Sequence, residues 1–120
     1  MATSIVLDLT SKMNADSQVV IDTNGWDYVV AQLVTPSGAI AFTGTNDGGD
    51  IQGSTLGNQL SAANFLTIAA EDMSSTTPAT YITSANASKT VKFEVPPQYL
   101  KFAGSSVTVT KFIVKLHKHF

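Results

Sequence analysis

Two histidines near the end of the chain are the first residues whose types and spacing could do chemistry. His117 and His119 are two positions apart, a spacing that on a strand places both imidazoles on one face and would suit a metal pair. The sequence contains no other histidine, and residues close to a terminus make poorly preorganised sites. We therefore predict no metal here and interpret the pair as a solvated tail or a subunit contact.

The acidic stretch TGTNDGGD, residues 43–50, is the second candidate. Asn46, Asp47 and Asp50 offer oxygen ligands, and the two glycines would let the chain curl around a hard cation such as Ca²⁺. The EF-hand spacing of carboxylates is missing, however, and the same residues are typical of a turn in which glycines take positive φ. We interpret the stretch as a turn, with calcium at Asp47 and Asp50 as the alternative.

No other pattern in the chain supports catalysis. It has no cysteine and no arginine, and neither a Gly-x-Ser-x-Gly elbow nor a Gly-Lys-Ser/Thr phosphate loop occurs. Glu71 and Asp72 are adjacent, so on a strand they would point to opposite faces rather than act as a pair. The sequence predicts that the protein is not an enzyme and binds no cofactor.

The composition restricts the class of partner. Only 13% of the 120 residues are charged and the net charge is −2, which argues against nucleic acid because phosphate recognition relies on clustered Lys and Arg. A surface so poor in charge suits a protein that works partly covered, as in an assembly. The N-terminal residues lack the basic start and apolar run of a signal peptide, and no segment is apolar enough to span a membrane. We expect neither secretion nor a membrane.

The hydrophobic period is two along almost the whole chain, which predicts an all-β protein. About eight strands with turn signals at short intervals indicate an antiparallel β-sandwich or jelly-roll-like fold, in a single domain over residues 1–120. The first predicted strand is SIVLDL, residues 4–9, within an N-terminal segment, residues 1–16, that is predicted as flexible. The alternation is absent from a long loop, residues 44–64. Loops of such length usually have a function.

Several strand assignments follow from the pattern. WDYVVAQLV, residues 26–34, has apolar groups on both faces and is predicted as a central strand, with AIAFTGT, residues 39–45, as its hairpin partner. In residues 89–95 the alternation places Val91, Phe93 and Val95 inward. After the two prolines, residues 98–102 are predicted as a short edge strand or corner. Residues 106–120 are predicted as the longest strand, with a bulge near Thr110 or burial on both faces.

Two longer stretches carry a family resemblance. Residues 26–50, WDYVVAQLVTPSGAIAFTGTNDGGD, are followed near the C-terminus by VKFEVPPQYLKF and SSVTVTKFIVKLHK. This layout resembles the small β-sandwich modules of tailed-bacteriophage structural proteins, in which a Gly-x-Ile-x-Phe strand runs into an Asn-Asp-Gly-Gly turn. The specific part of the match is residues 38–49. Ile51 and Gln52 stand where an aromatic residue often follows the glycines in that family.

The resemblance implies a virion structural protein assembled in the host cytoplasm. The short chain is more natural for a capsid decoration or cement protein than for a fibre, and a tail module is the other location. The implied partners are the major capsid protein or other virion proteins, together with further copies of the chain, a trimer being the expected homo-oligomer. We expect the N-terminal segment and the long loop to dock on the shell or on neighbours, with the loop contributing Ile51, Gln52, Leu56 and Asn58.

The competing class is a carbohydrate-binding module, because β-sandwiches of this size commonly bind sugars on exposed aromatic platforms. The platform would consist of Trp26, Tyr28 and Tyr99, with Tyr81 as a further aromatic residue and Asn24, Asp27 and Asn46 as polar partners. Trp26 and Tyr28 lie at the start of the most apolar strand, so a place in the core is the stronger interpretation for both.

Overall fold

The computed structural model describes residues 2–15, 17–34, 37–46 and 65–119. Within these ranges the chain forms two six-stranded antiparallel sheets, which confirms the predicted all-β sandwich. In chain order the strands are β1 (Ala2–Asp8), β2 (Asn14–Ala15), β3 (Gln18–Asp22), β4 (Tyr28–Val34), β5 (Ser37–Thr45), β6 (Leu66–Thr67), β7 (Ala70–Asp72), β8 (Tyr81–Ile82), β9 (Ser84–Ala85), β10 (Lys89–Phe93), β11 (Tyr99–Thr108) and β12 (Lys111–His119). A short 3₁₀ helix, Thr10–Lys12, follows β1. No helix of the described part is long and apolar enough to cross a membrane.

Each of the two sheets contains a long inner strand, β12 in sheet A and β11 in sheet B. Sheet A has the order β1-β12-β4-β10-β7-β8, and sheet B has the order β2-β11-β5-β6, with β3 also paired to β11 and β9 to β5. Between the sheets lies one hydrophobic core to which both contribute. At its centre Phe102 of sheet B makes edge-to-face contacts with Phe42, Phe93 and Phe112, at ring-centroid distances of 5.7, 5.8 and 5.0 Å. Phe93 and Phe112 belong to sheet A, so this aromatic cluster joins the two layers.

The strand at residues 28–34 is central, as predicted, but its neighbour is not the expected one. β4 lies between β12 and β10 in sheet A, with Val29, Ala31 and Leu33 buried. β5 belongs to sheet B, where it pairs with β11, so the predicted hairpin between β4 and β5 is wrong. Ile40 and Phe42 of β5 are fully buried in the core, where the Phe42 ring contacts Phe93 of sheet A.

The segment after the two prolines is a central strand, which corrects the prediction of a short edge strand. β11 runs for ten residues between β3 and β5, with Leu100 and Phe102 in the core. It ends at Thr108, and the chain crosses to sheet A before β12 begins at Lys111. Near Thr110 the apolar residues change from odd to even positions because one strand ends there and another begins. The predicted bulge within a single strand is therefore wrong.

The connections between these strands contain glycines with positive φ and a buried threonine. Gly25, in the predicted turn after β3, has φ +85°, and Gly38 at the start of β5 has φ +78°. Thr23 is buried and donates its hydroxyl to the carbonyl of Pro97, while its N–H donates to Gln98. These bonds tie the turn between β3 and β4 to the segment that leads into β11.

Two further predictions need correction. Val95 lies beyond the end of β10 and is 91% exposed, because the strand stops at Phe93 before its alternation is complete. Residues 2–8 of the segment predicted as flexible form β1, which agrees with the strand predicted at residues 4–9 and pairs over its whole length with β12. Of the predicted long loop, Gly44 and Thr45 belong to β5, and residues 47–64 lie outside the described part of the chain.

Candidate functional site

The outer face of sheet A is the first surface with a distinctive composition. Where β1, β12, β4 and β10 lie side by side, their registers place Val6, Lys115, Val30 and Lys92 in one row. A shallow depression of about 370 Å³ on this face is lined by Val6, Val30, Gln32, Thr90, Ile113 and Lys115. The face thus has an apolar centre with lysines beside it, a pattern found at protein interaction surfaces.

An aromatic and imidazole cluster occupies one end of the same face. The rings of Tyr28 and His117 are stacked at 4.5 Å, and His119 lies edge-on to His117 at 4.6 Å. The ammonium of Lys92 is over the Tyr28 ring at 4.7 Å from its centroid. The core interpretation of Tyr28 is therefore wrong. Tyr28 alternates with the buried residues of β4, so its side chain points to the outer face, where the ring lies between His117 and the Lys92 ammonium.

The two imidazoles do lie on one face, as their spacing predicted. Desolvation lowers the pKa of His117, and the positive charges of His119 and Lys115 act in the same direction. Its Nδ1 atom is buried without a hydrogen-bond partner. A metal held here would have this pair as ligands, but no group of three or more His, Cys, Asp or Glu side chains suited to a metal occurs in the described residues.

A cleft at the margin of the sandwich is the second candidate. It has a volume of about 390 Å³ and is lined, among others, by Asn46, Tyr81, Lys92, Glu94, Pro96 and Pro97. These residues come from the end of β5, from β8, and from β10 and the connection that follows it. Tyr81 is 55% exposed, so its ring is available to a ligand.

The side chains that line this cleft offer both apolar surface and hydrogen-bonding groups. An exposed tyrosine ring and two prolines offer apolar faces, while an amide, an ammonium and a carboxylate offer hydrogen bonds of both polarities. The side-chain oxygen of Asn46 accepts a hydrogen bond from the Gln98 backbone at 2.9 Å, which fixes the orientation of that amide. The cleft combines residues more than thirty positions apart in the chain, which is why reading along the sequence did not assemble it.

The three residues predicted as a sugar platform are not brought together. Trp26 is partly buried and packs against the core, as its position before β4 suggested. Tyr28 lies on the outer face of sheet A, whereas Tyr99 belongs to sheet B and is only 3% exposed. Burial and the nearby carboxylate of Asp22 raise the pKa of the Tyr99 hydroxyl. Of the wider set, Tyr81 and Asn46 do share one site, the cleft described above.

The predicted docking residues Ile51, Gln52, Leu56 and Asn58 lie outside the described residues, and so do Asp47 and Asp50 of the alternative calcium site. The described strands on either side, β5 and β6, pair with each other in sheet B. Near them the sequence reasoning missed a buried lysine: Lys101 is 6% exposed, and its ammonium lies 4.4 Å from the centroid of the Phe65 ring. The alternation in β11 indicated only that Lys101 points away from the core.

The open edge of sheet A is the third surface. β1 is the terminal strand of the sheet and pairs with β12 on one side, from Ala2 opposite His119 to Asp8 opposite Ile113. On this strand Ile5 is 43% exposed and Val6 is 62% exposed. Asp8 accepts hydrogen bonds from the N–H and the hydroxyl of Thr10, which lower the pKa of its carboxyl group.

Comparison with known proteins finds a solved structure with a similar fold. No protein-family model matches the chain, and no curated protein matches its sequence. Among solved structures, the SPBc2 prophage-derived protein YomS has a similar fold, with a TM-score of 0.62 over 98% of this chain and 93% of that protein. The two sequences are 12% identical, so the similarity is one of fold.

Proposed function

We propose that this chain is a non-enzymatic structural protein of a phage particle, and specifically a capsid decoration or cement protein that stabilises the head. The observation that carries the proposal is the fold, which the chain shares over nearly its whole length with a prophage-derived protein. The sequence of residues 38–49, a Gly-x-Ile-x-Phe strand followed by a predicted turn, supports the same assignment, since it resembles a pattern of phage structural modules.

The surfaces of the molecule support an assembly role. The outer face of sheet A has an apolar centre flanked by lysines, and the terminal strand β1 exposes Ile5 and Val6. The proposed partners are the major capsid protein or other virion proteins and further copies of this chain, with a trimer on the three-fold positions of the shell. The proposed location is the virion, after assembly in the host cytoplasm.

Quantitative mass spectrometry of purified particles tests this proposal. Copies of this chain are compared with copies of the main shell protein. A ratio near parity is expected for a decoration protein, whereas a ratio of a few per cent would move the protein to the tail or collar. Absence of the chain from particles would refute the virion role altogether.

A deletion tests the predicted shell contact. Removal of residues 51–58, which include Ile51, Gln52, Leu56 and Asn58, is expected to leave the sandwich folded and to abolish binding to particles that lack the protein. Circular dichroism verifies the fold of the variant, and co-sedimentation with particles measures binding. Unchanged occupancy of the particles would show that these residues are not the contact.

A carbohydrate-binding module is the second candidate function, and the cleft around Tyr81 favours it. The ligand would be a saccharide whose ring stacks on Tyr81 and whose hydroxyls bond to Asn46, Lys92 and Glu94. Saturable glycan binding by calorimetry or on an array, lost in Tyr81→Ala and retained in Trp26→Ala, would support this function. Binding that survives Tyr81→Ala, or no glycan binding at all, would reject it.

A further inference from the structure

The backbone of β1 has one unused side. In an antiparallel ladder, successive residues of a strand direct their N–H and C=O groups alternately to the left and to the right. β12 takes up the groups on one side of β1, and within the described residues no strand lies on the other. Every second residue of this seven-residue strand therefore presents a donor and an acceptor that a further strand could use.

This edge lacks the devices that usually prevent strands from pairing. Natural edge strands carry lysines, prolines or bulges, or are very short. Residues 3–7 of β1 are Thr, Ser, Ile, Val and Leu, and the register with β12 is continuous. The one charged residue of the strand, Asp8, is engaged by Thr10. The edge is thus long, regular and flanked by exposed apolar side chains.

The strand that best matches this edge is a second copy of itself. The opposite end of sheet A is β8, which has two residues and is too short to pair with seven. In sheet B, β6 and β9 on one edge also have two residues each, and on the other edge β2 has two residues and β3 has five, fewer than β1. Two copies of β1 are equal in length and can use all of their free groups when they lie antiparallel.

Symmetry restricts the register of such a pair. Two residues opposite each other in an antiparallel ladder must both direct their backbone groups toward the partner, or both away from it. Because this orientation alternates along β1, opposite residues of two identical strands have numbers of the same parity, and one residue must face its own copy. The register with full overlap places Ile5 opposite Ile5, and Ser4 opposite Val6.

The size of this contact sets its strength. Seven residues span about 24 Å of strand, so that the edge buries only a few hundred Å² per copy, below the roughly 800 Å² of a standard interface. Pairing also brings the exposed Val6 side chains of two copies together on the outer face of sheet A, beside Val30 and Ile113. The isolated pair is therefore weak, and copies held close together on a surface would pair far more completely.

We propose that β1 pairs antiparallel with β1 of a second copy across a two-fold axis, joining the A sheets of both into one sheet of twelve strands. The inference deepens the proposed assembly role: neighbouring three-fold sites of a shell are related by local two-folds, so this contact would link one trimer to the next. It concerns the isolated chain as well, and can be tested without particles.

Single-cysteine crosslinking tests the contact directly, because the native chain has no cysteine. Ile5→Cys is expected to form a disulfide-linked dimer on mild oxidation, seen on a non-reducing gel, with a yield that rises with protein concentration. Val95→Cys is the matched control, since Val95 is more exposed than Ile5 but lies away from β1. Equal yields for the two variants would overturn the proposal, and so would an oligomer in which Ile5→Cys does not crosslink.

Charge substitutions test the register in the Ile5→Cys background. Adding Ser4→Lys and Val6→Lys places like charges opposite each other twice, whereas Ser4→Lys with Val6→Glu places opposite charges there. In the first variant the yield of crosslinked dimer is expected to fall at least about tenfold, which corresponds to a loss of about 1.4 kcal/mol in the free energy of association. The second variant is expected to keep the yield of Ile5→Cys alone. Circular dichroism and thermal unfolding verify the fold of both. Equal yields in the two charge variants would contradict the pairing of Ser4 with Val6.

Discussion

The single ion pair given by the described side chains concerns a buried carboxylate. Asp72 is 6% exposed, and its Oδ2 atom lies 2.8 Å from the Lys89 ammonium, while its Oδ1 atom accepts a hydrogen bond from the Ser74 N–H at 3.0 Å. The hydrogen bond from Lys89 is the main reason why the pKa of Asp72 is lowered from its ordinary value of 3.8. This carboxylate links β7, β10 and the turn after β7. Its charge therefore stabilises the end of sheet A that lies opposite β1.

We predict that Asp72→Asn lowers the free energy of unfolding at pH 7 by roughly 1–3 kcal/mol, since the contact of the buried carboxylate with the Lys89 ammonium and a turn hydrogen bond are weakened together. Because the folded-state pKa is depressed, this stability is present above about pH 4 and is lost as the pH falls through the folded value. Denaturant unfolding between pH 7 and acid measures both effects. Glu94→Gln, at an exposed position, is the control, and equal losses in the two variants would contradict the assignment.

His117 introduces a second pH dependence. Desolvation lowers its pKa, so the folded protein binds a proton less readily than the unfolded chain. The stability contributed by neutral His117 is therefore present above pH 6.5 and is lost as the pH falls through the folded value. We predict that His117→Phe, which keeps a ring against Tyr28, flattens the unfolding free energy over this range. Parallel pH profiles of the variant and the native protein would exclude His117 as the source.

At the level of elements, the two described glycines with positive φ, Gly25 and Gly38, have different surroundings. A Cβ atom on Gly25 would meet nothing within 4 Å, whereas on Gly38 it would lie 2.4 Å from the Ser105 carbonyl oxygen and 2.6 Å from that of Ser106. Gly38 thus lets β5 approach the bend in β11, where the register between the two strands shifts. Its role is a close approach of two backbones in addition to an unusual φ.

Alanine at the two positions should separate these effects. Gly25→Ala is expected to destabilise by about 1–2 kcal/mol, the cost of the left-handed conformation alone. Gly38→Ala carries the same cost and must also displace the β11 backbone, so we predict a clearly larger loss. The denaturation midpoints of both variants, at unchanged slope, provide the comparison. A smaller loss for Gly38→Ala would argue against the close packing of β5 on β11.

The sequence predicts strands well and their partners poorly. Alternation identified β4 and β10 as strands, because burial on one face leaves a period of two. Val91 and Phe93 of β10 are buried as predicted, whereas Val95 is exposed. The same pattern does not say which sheet a strand enters, and so β5 was paired with β4 instead of β11. Two prolines before β11 suggested an edge, although they lie in the connection that precedes the strand. The cleft at Tyr81 depends on partners brought together by pairing, which explains why Tyr81 and Asn46 were considered without being joined.

At the scale of the whole molecule, stability depends on the contact between the layers. Phe102 is fully buried and touches three other phenylalanines, two of them in the opposite sheet. We predict that Phe102→Ala costs about 3–5 kcal/mol, a large part of the stability of a domain this size, because a cavity would open between the sheets. Chemical denaturation gives the value. Tyr81→Ala, on the surface, is expected to cost less than about 0.5 kcal/mol, and similar costs would contradict this account of the core.

The register of β1 on β12 also determines how the molecule responds to mechanical force. Ala2 lies opposite His119, so both ends of the described chain leave the sandwich at the same corner. A load pulling these ends apart acts across the ladder and opens its hydrogen bonds one after another, as a zipper opens, instead of shearing all of them at once. The sandwich would thus yield first at its outermost strand, while the phenylalanine cluster between the sheets remains unloaded.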